Sequence, residues 1–294
     1  MTTSTTSTTG TTSTTRATGT TPATPDPADA AVKARHATMW GLGDYAAVAR
    51  DVIPELGSTI VDAAGVARGD RVLDVAAGTG NATLPAARIG ARVVAADLAP
   101  ALVDVGRRAT ADAGLDVEWH VADAEALPFP DASFDVVLSC VGVMFAPHHE
   151  RSSAELLRVT RPEGRIALLS WTPSGFIGRL FGVMKPFAPP PPPGASPAPL
   201  WGDESHVRSL LGDGVTGVEA TRALLDVRFD SPEAFRDFFK TAYGPTVATY
   251  RSIAEDADRV AALDAGLADL AREATDADGL MRWEYLLLTA RRAG

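Results

Sequence analysis

The segment Asp74-Val-Ala-Ala-Gly78-Thr-Gly80-Asn81 brings together residue types that can hold a charged, nucleotide-like ligand. Glycines let the backbone approach a ligand closely and adopt dihedrals closed to other residues. The segment follows a short apolar run and opens a helical one. The unpaired amides at a helix start favour an anionic group there. Asp97 ends the next apolar run, where a carboxylate is placed to accept both hydroxyls of a ribose. These two signals suit any nucleotide-binding α/β fold, a nicotinamide-dependent oxidoreductase included. Two features speak against that reading. Thr83 stands where the dinucleotide pattern Gly-x-Gly-x-x-Gly wants its third glycine. Asp74 stands just upstream of the loop, where a carboxylate repels a pyrophosphate but suits the ammonium of an amino-acid moiety. A third segment, Asp123-Ala-Glu-Ala-Leu-Pro-Phe-Pro-Asp-Ala-Ser-Phe-Asp135, offers a carboxylate to an adenine amino group, with apolar neighbours to flank the ring. A fourth, Leu156 to Gly164, leads into another apolar run.

The elements that must position these residues can be read from periodicity. Short apolar strands are predicted at 71–75, 92–96, 117–121, 134–140 and 165–171, alternating with helices through 89, over 100–113 and over 150–159. Such alternation means βαβ units and a parallel sheet buried on both faces. Further strands are predicted at 223–229 and 284–289, with a short helix at 207–211. Between the last two strands lies a helical insertion from Ser231 to about Ala274, opened by a capping Ser and a Pro in the first turn. Upstream, 29–65 is helical, with Val48, Val52, Leu56, Ile60 and Ala64 on one stripe and Pro54 expected to break or kink it. The prolines of 189–200 read as a polyproline II segment over the surface.

The four motifs together, Asp74-x-x-x-Gly-x-Gly, Asp97-Leu98, Asp123-Ala124-Glu125 with Leu127-Pro-Phe-Pro, and Leu157-Arg-Val-x-Arg-Pro-x-Gly164, resemble those of class I S-adenosylmethionine-dependent methyltransferases. The likeness is to the branch of ubiquinone and menaquinone biosynthesis enzymes and many natural-product methyltransferases. It covers roughly residues 40 to 171; residues 172–294 carry no matching motif. The resemblance implies a Rossmann-like, seven-stranded, mostly parallel sheet with helices on both faces and a helical cap. It implies S-adenosylmethionine as cofactor. Gly78, Gly80 and the backbone near Ala76 would border the methionine part, with Asp74 and the Cys140 carbonyl on its amino group. Asp97 would take the ribose, Leu98 would pack on the adenine, and Asp123 and Ala124 would meet its edge. The chain departs from the family at Ala76 and Ala77, where Gly or Cys is common. Tyr45 and Trp40 would cover the cofactor or acceptor, or else staple the N-terminal helix to the sheet.

Methyl transfer from a sulfonium needs a base only when the acceptor must first lose a proton. His148 and His149 are the candidates for that role, against the alternative of a solvent-facing pair at a helix start; His36 and His120 read as structural or exposed. The aromatics of 176–187, Trp201, and the set Phe235, Phe238, Phe239 and Tyr243 are candidate walls of an apolar acceptor pocket. The expected acceptor is a small, largely apolar molecule, a secondary metabolite or a quinone-like or aromatic compound. A cofactor-binding protein without catalysis is the other reading.

The chain has 294 residues, 46% hydrophobic and 22% charged, in the range of globular proteins. Its formal net charge of -10 disfavours a nucleic-acid partner. The single cysteine, Cys140, excludes an internal disulfide and a cysteine-based zinc site, and fits a reducing cytoplasm. No run approaches the ~18 apolar residues of a membrane helix. The N-terminus has neither the basic nor the apolar region of a secretory signal. A homodimer is compatible with the sequence. The expected organisation is a disordered Thr/Ser-rich tail over 1–27, then one methyltransferase domain over 28–294. That domain would comprise a helical lid (28–66), a cofactor-binding core (67–171), and acceptor-side insertions with the last two strands (172–294).

Overall fold

The computed structural model describes residues 1–2 and 27–294; residues 3–26, the bulk of the expected tail, lie outside the described residues. Helix α1 (Pro27–Trp40) leads to a single turn, α2 (Tyr45–Ala47), and a wide π-helical turn over Val48–Val52. The Asp44 carboxylate caps α2, accepting from the Ala47 amide at 3.1 Å. Pro54 does not kink a continuous helix. It sits in the first turn of a new one, α3 (Pro54–Ala63), where its missing N–H costs nothing. The predicted stripe is real: Val48, Val52, Leu56, Ile60 and Ala64 are all buried.

The α/β core then runs β1 (Arg71–Val75), α4 (Thr83–Ile89), β2 (Arg92–Asp97), α5 (Pro100–Asp112), β3 (Val117–Val121), β4 (Phe134–Cys140), α6 (His149–Val159) and β5 (Thr160–Trp171). Beyond it come α7 (Phe176–Met184), α8 (Glu204–Leu211), β6 (Val215–Val227), α9 (Pro232–Ala242), α10 (Gly244–Ser252), α11 (Ala257–Ala274) and β7 (Met281–Arg292). The strands form one seven-stranded sheet in the order β3-β2-β1-β4-β5-β7-β6. All pairs are parallel except those of β7, which is antiparallel to both β5 and β6. Val72, Leu73, Val136, Val137, Leu138, Ile166 and Ala167 in the central strands are fully buried, as strands covered on both faces must be.

The last two strands are longer than predicted. β6 is an edge strand whose residues are mostly exposed, so it carries no apolar run to mark its start. Its backbone pairing with β7 defines its length instead. The predicted helical insertion is three helices. Ser231 caps the first as expected, its hydroxyl accepting from the Ala234 amide at 3.0 Å. Gly244 separates the next, and a Cβ there would strike the Met39 carbonyl, so this glycine lets α10 press against α1.

The order of the strands fixes where a ligand can sit. From β1 the chain winds outward through β2 to β3, then returns to place β4 on the other side of β1. The loops after β1 and β4 therefore diverge, and the crevice between them at the carboxyl ends of the strands is the usual ligand site of an open α/β sheet.

Candidate active site

A cleft opens at that switch point. Its floor is Val75, Ala76 and Gly78 after β1, with Ala96, Asp97 and Leu98 at the end of β2. One side is Ala122, Asp123 and Ala124 after β3, the other Val141, Gly142 and Phe145 after β4. Lys33, His36 and Trp40 of α1, with Tyr45, form the roof. Its empty space, solvent mouth included, is about 680 Å³. The backbone is strained here: Ala76 and Val141 hold φ of 53° and 47°, conformations that non-glycine residues rarely adopt. Gly142 leaves no room for a Cβ, which would strike the Ala76 carbonyl. The loops after β1 and β4 thus touch at the base of the cleft.

Asp97 ties the floor together. One carboxylate oxygen accepts from the Gly78 amide and the other from the Ala99 amide, both at 2.8 Å. Burial raises its pKa, and these two amides oppose the rise. Asp74 lies below the floor, 1% exposed. Its Oδ2 accepts from the Thr83 hydroxyl at 2.6 Å, while Oδ1 has no partner. Burial pushes this carboxyl up to about 7, with the Thr83 hydrogen bond opposing the rise and the Asp97 charge adding to it. Thr83, which breaks the dinucleotide pattern, is therefore the residue that fixes Asp74. Asp123 stands at the side wall. Its Oδ1 accepts from the Glu125 amide at 2.9 Å and from the Lys33 ammonium at 3.1 Å. The same ammonium lies 2.7 Å from Glu125, whose other oxygen accepts from the His148 amide at 2.8 Å.

Of the predicted ligand residues, the structure brings Tyr45, Ala76, Gly78, Asp97, Leu98, Asp123 and Ala124 onto one cleft. Gly80 lies on the far side of the loop against Leu84 and Trp119, and the side chains of Asp74 and Cys140 are beneath the surface. Burial raises the Cys140 thiol pKa, which opposes thiolate formation. His148 and His149 are not on the cleft wall. His148 Nε2 is 3.5 Å from Asp29, and His149 is buried with Nδ1 2.9 Å from His206 Nε2 and its ring against Trp201. Burial pushes His149 down to about 4, so it is neutral at pH 7. His149 is interior, not the solvent-facing residue of the second alternative. His36 forms part of the roof, and His120 pairs with Glu118 at 2.6 Å. Lys33 and Val141 are cleft residues that sequence reasoning missed; no local motif marks them.

Past Tyr45 and Phe145 the cleft adjoins a smaller aromatic chamber, lined by Trp40, Tyr45, Val48, Ile53, Val141, Phe145, Trp171, Ile177, Phe239, Tyr243 and Trp283. Trp40, Tyr45, Val141 and Phe145 are walls of both. Trp40 is central to the partition, its ring edge-on to Tyr45, Phe145 and Tyr243 at 5.6, 4.7 and 5.7 Å. Among the described residues no Asp, Glu, Lys, Arg or His lines the chamber. Of the aromatics predicted as acceptor walls, Phe239 and Tyr243 are there. Phe176 and Phe235 instead pack behind Trp283, and Trp201 lies against His149.

Comparison with known proteins agrees with this geometry. A family model described as a methyltransferase domain matches residues 73–168. An uncharacterized protein of Mycobacterium tuberculosis is 48% identical over 265 residues, covering 90% of this chain and 96% of its own length. The demethylmenaquinone methyltransferase of Renibacterium salmoninarum is 41% identical over 113 residues, 38% of this chain and 46% of that one. Among solved structures, the YcgJ protein of Bacillus subtilis matches with a TM-score of 0.54 at 19% identity, over 82% of this chain and 99% of that one. Phosphoethanolamine N-methyltransferase 2 of Haemonchus contortus, in complex with S-adenosyl-L-methionine, matches with a TM-score of 0.51 at 16% identity, over 81% of this chain and 52% of that one. The chain belongs to one family with that Mycobacterium tuberculosis protein, and its residues 73–168 form a methyltransferase domain of the class I, S-adenosylmethionine-dependent type. The domain marks the chain as a methyltransferase enzyme, and the cofactor that such a domain implies is S-adenosylmethionine. The residues present fit that group: a buried carboxylate oxygen of Asp74 lacks a partner beneath the loop where an ammonium would lie. Among the described residues no helix is long and apolar enough to cross a membrane.

Proposed function

We propose that this methyltransferase modifies a small, largely apolar molecule held in the aromatic chamber. The observation that carries the reading is the pairing of two cavities across a shared aromatic partition. One is edged by carboxylates and loop amides, and the other is walled by rings without a charged group. The bound cofactor supplies an already activated methyl group, so positioning and exclusion of water can supply most of the rate. In this reading Asp97 takes the ribose hydroxyls, and Asp123 with Ala124 meets the adenine edge beside Leu98. Asp74 holds the amino group through its unpaired oxygen, and the Gly78 loop lies along the methionine part. Tyr45 and Trp40 separate cofactor from acceptor and keep solvent out. A charged acceptor would lose its hydration in the chamber with no opposite charge in return, which disfavours it by several kcal/mol (order of magnitude). Residues 28–66 act as lid, 67–171 as cofactor core and 172–294 as acceptor side. The work is intracellular, on a secondary metabolite or a quinone-like compound. Calorimetric competition on the protein saturated with S-adenosylhomocysteine tests this. Small aromatics are expected to bind and hydrophilic amines to be inert; the reverse order would overturn it.

A further inference from the structure

Strand β6 ends the sheet, and its outer side is an open edge. The direction of its backbone groups follows from its neighbour. The Glu284 carbonyl accepts from the Thr172 amide at 3.3 Å, so Glu284 turns its backbone toward β5. Across from Glu284 on the other side stands Leu224. In an antiparallel ladder such a pair is not hydrogen-bonded, so Leu224 turns its own N–H and C=O away from β7. By alternation Arg222 and Asp226 do the same. Upstream, the Val218 carbonyl accepts from Arg208 at 3.4 Å. From Glu219 to Val227 no described residue bonds to the outer edge. The bulge of this strand lies between Thr216 and Glu219, which leaves the rest regular. The helix α11 packs over β7 and leaves that edge clear.

The side chains along this edge have a definite order. Leu225 is opposite Trp283 and faces inward, so Arg222, Leu224 and Asp226 share the other face. Leu224 is 55% exposed, which is unusual for a large apolar residue in this chain. Arg222 and Asp226, two residues to either side, are exposed and of opposite sign. Their contacts within the chain are loose, 3.6 Å from Arg222 to Glu284 and 3.5 Å from Asp226 to Arg282. A regular open edge is a template for another strand.

A second copy of the same strand completes the pattern by symmetry. With a twofold axis through Leu224, perpendicular to the sheet, the two strands run antiparallel. Leu224 then meets the partner's Leu224, Arg222 meets the partner's Asp226, and Asp226 meets the partner's Arg222. Opposite charges directly across a strand pair attract and like charges repel. Other registers lose this match. An axis at Arg222 or at Asp226 sets like charges on each other, one at Leu225 sets Arg222 against the partner's Arg228, and one at Ala223 pairs neither charge.

We propose that β6 is the interface of a homodimer, in which two chains pair edge to edge about Leu224 and join their sheets into one. The interface is isologous, the same patch on both subunits. It lies on the outer edge of β6, away from the cleft and the aromatic chamber, and stands apart from the reading of the acceptor.

Sedimentation velocity of the full chain over a concentration series tests this. The native protein is expected to dimerise. Arg222→Asp and Asp226→Arg, each alone, set like charges across the axis and should weaken self-association roughly tenfold or more. An equimolar mixture of the two variants should dimerise again, because each then faces the opposite charges of the other. Leu224→Pro removes an N–H that β7 does not use, so it should block pairing while circular dichroism and S-adenosylhomocysteine binding stay native. Native protein that stays monomeric throughout the series would overturn the proposal. So would a dimer that persists in all three variants, or a mixture no more associated than its components.

Discussion

Asp74 makes the stability of the ligand-free protein fall as pH rises. In the unfolded chain this carboxyl titrates near its ordinary value of 3.8, and burial in the fold pushes it up to about 7. Between those values the folded state holds a proton that the unfolded state has lost. Stability is therefore full at acidic pH, declines as pH rises through this window, and levels off above about 7. The span is about three powers of ten in proton affinity, and each is worth about 1.4 kcal/mol, so the loss is about 4 kcal/mol at most. In a chain of this size that lowers the melting temperature by on the order of 10 °C. Asp97 contributes in the same direction and His149 in the opposite one, so the assay is a difference. Melting temperatures of native protein and Asp74→Asn are followed from about pH 5 to about pH 8. Asn keeps an oxygen for the Thr83 hydroxyl but does not titrate. The native curve is expected to fall relative to the variant. S-adenosylmethionine, whose ammonium favours the charged carboxylate, is expected to remove most of that fall. Its affinity should accordingly weaken as pH drops below about 7. Parallel curves without ligand would refute the reasoning, because they would mean that Asp74 is ionised in the fold.

Asp97→Ala removes both loop ties, to Gly78 and Ala99. Cofactor affinity measured by calorimetry should drop at least tenfold, with the fold retained by circular dichroism. Lys33→Met leaves the Glu125 carboxylate, with a side chain 2% exposed, without its nearest cation. Breaking such a pair costs about 3–5 kcal/mol, and adding Glu125→Gln should restore part of the melting temperature. Gly142→Ala drives a Cβ into the Ala76 carbonyl and should abolish cofactor binding before it abolishes folding, read by calorimetry beside thermal melting. His148→Ala and His149→Phe should leave the pH profile of kcat without a lost inflection, because neither ring reaches the cleft or the chamber.

Much of the cofactor side was legible in the chain because it is built from local signals. A strand end, a glycine loop and a helix start are neighbours in sequence, and β1, β3 and β4 lie where their apolar runs place them. The strand ends then bring Asp97 and Asp123 to one cleft by topology alone. What was not legible depends on distant pairing. Lys33 joins Asp123 across a sequence separation of 90 residues, and no pattern around Lys33 marks it. The chamber draws rings from α1, β5, α9 and β7, whose mutual approach is set by packing rather than periodicity. An apolar ring in the core and one on a ligand wall look identical in sequence. Hence Phe176 and Phe239 could not be told apart, though only the second lines the chamber. The histidine pair lies off the cleft for a related reason. Its place after β4 suits an acceptor site, but the partners that draw it away, His206 and Asp29, lie far off in the chain.

The central claim is methyl transfer to a small, largely apolar acceptor in the aromatic chamber, and labelled transfer tests it most directly. The protein is incubated with S-adenosylmethionine bearing a labelled methyl group and a panel of phenols, indoles, enolisable ketones and hydrophilic amines. The account predicts label in organic-soluble products of the aromatic and ketone members of the panel, lost in Asp97→Ala. Label confined to the hydrophilic amines, or no transfer to any member of the panel by protein shown to bind the cofactor, would contradict it.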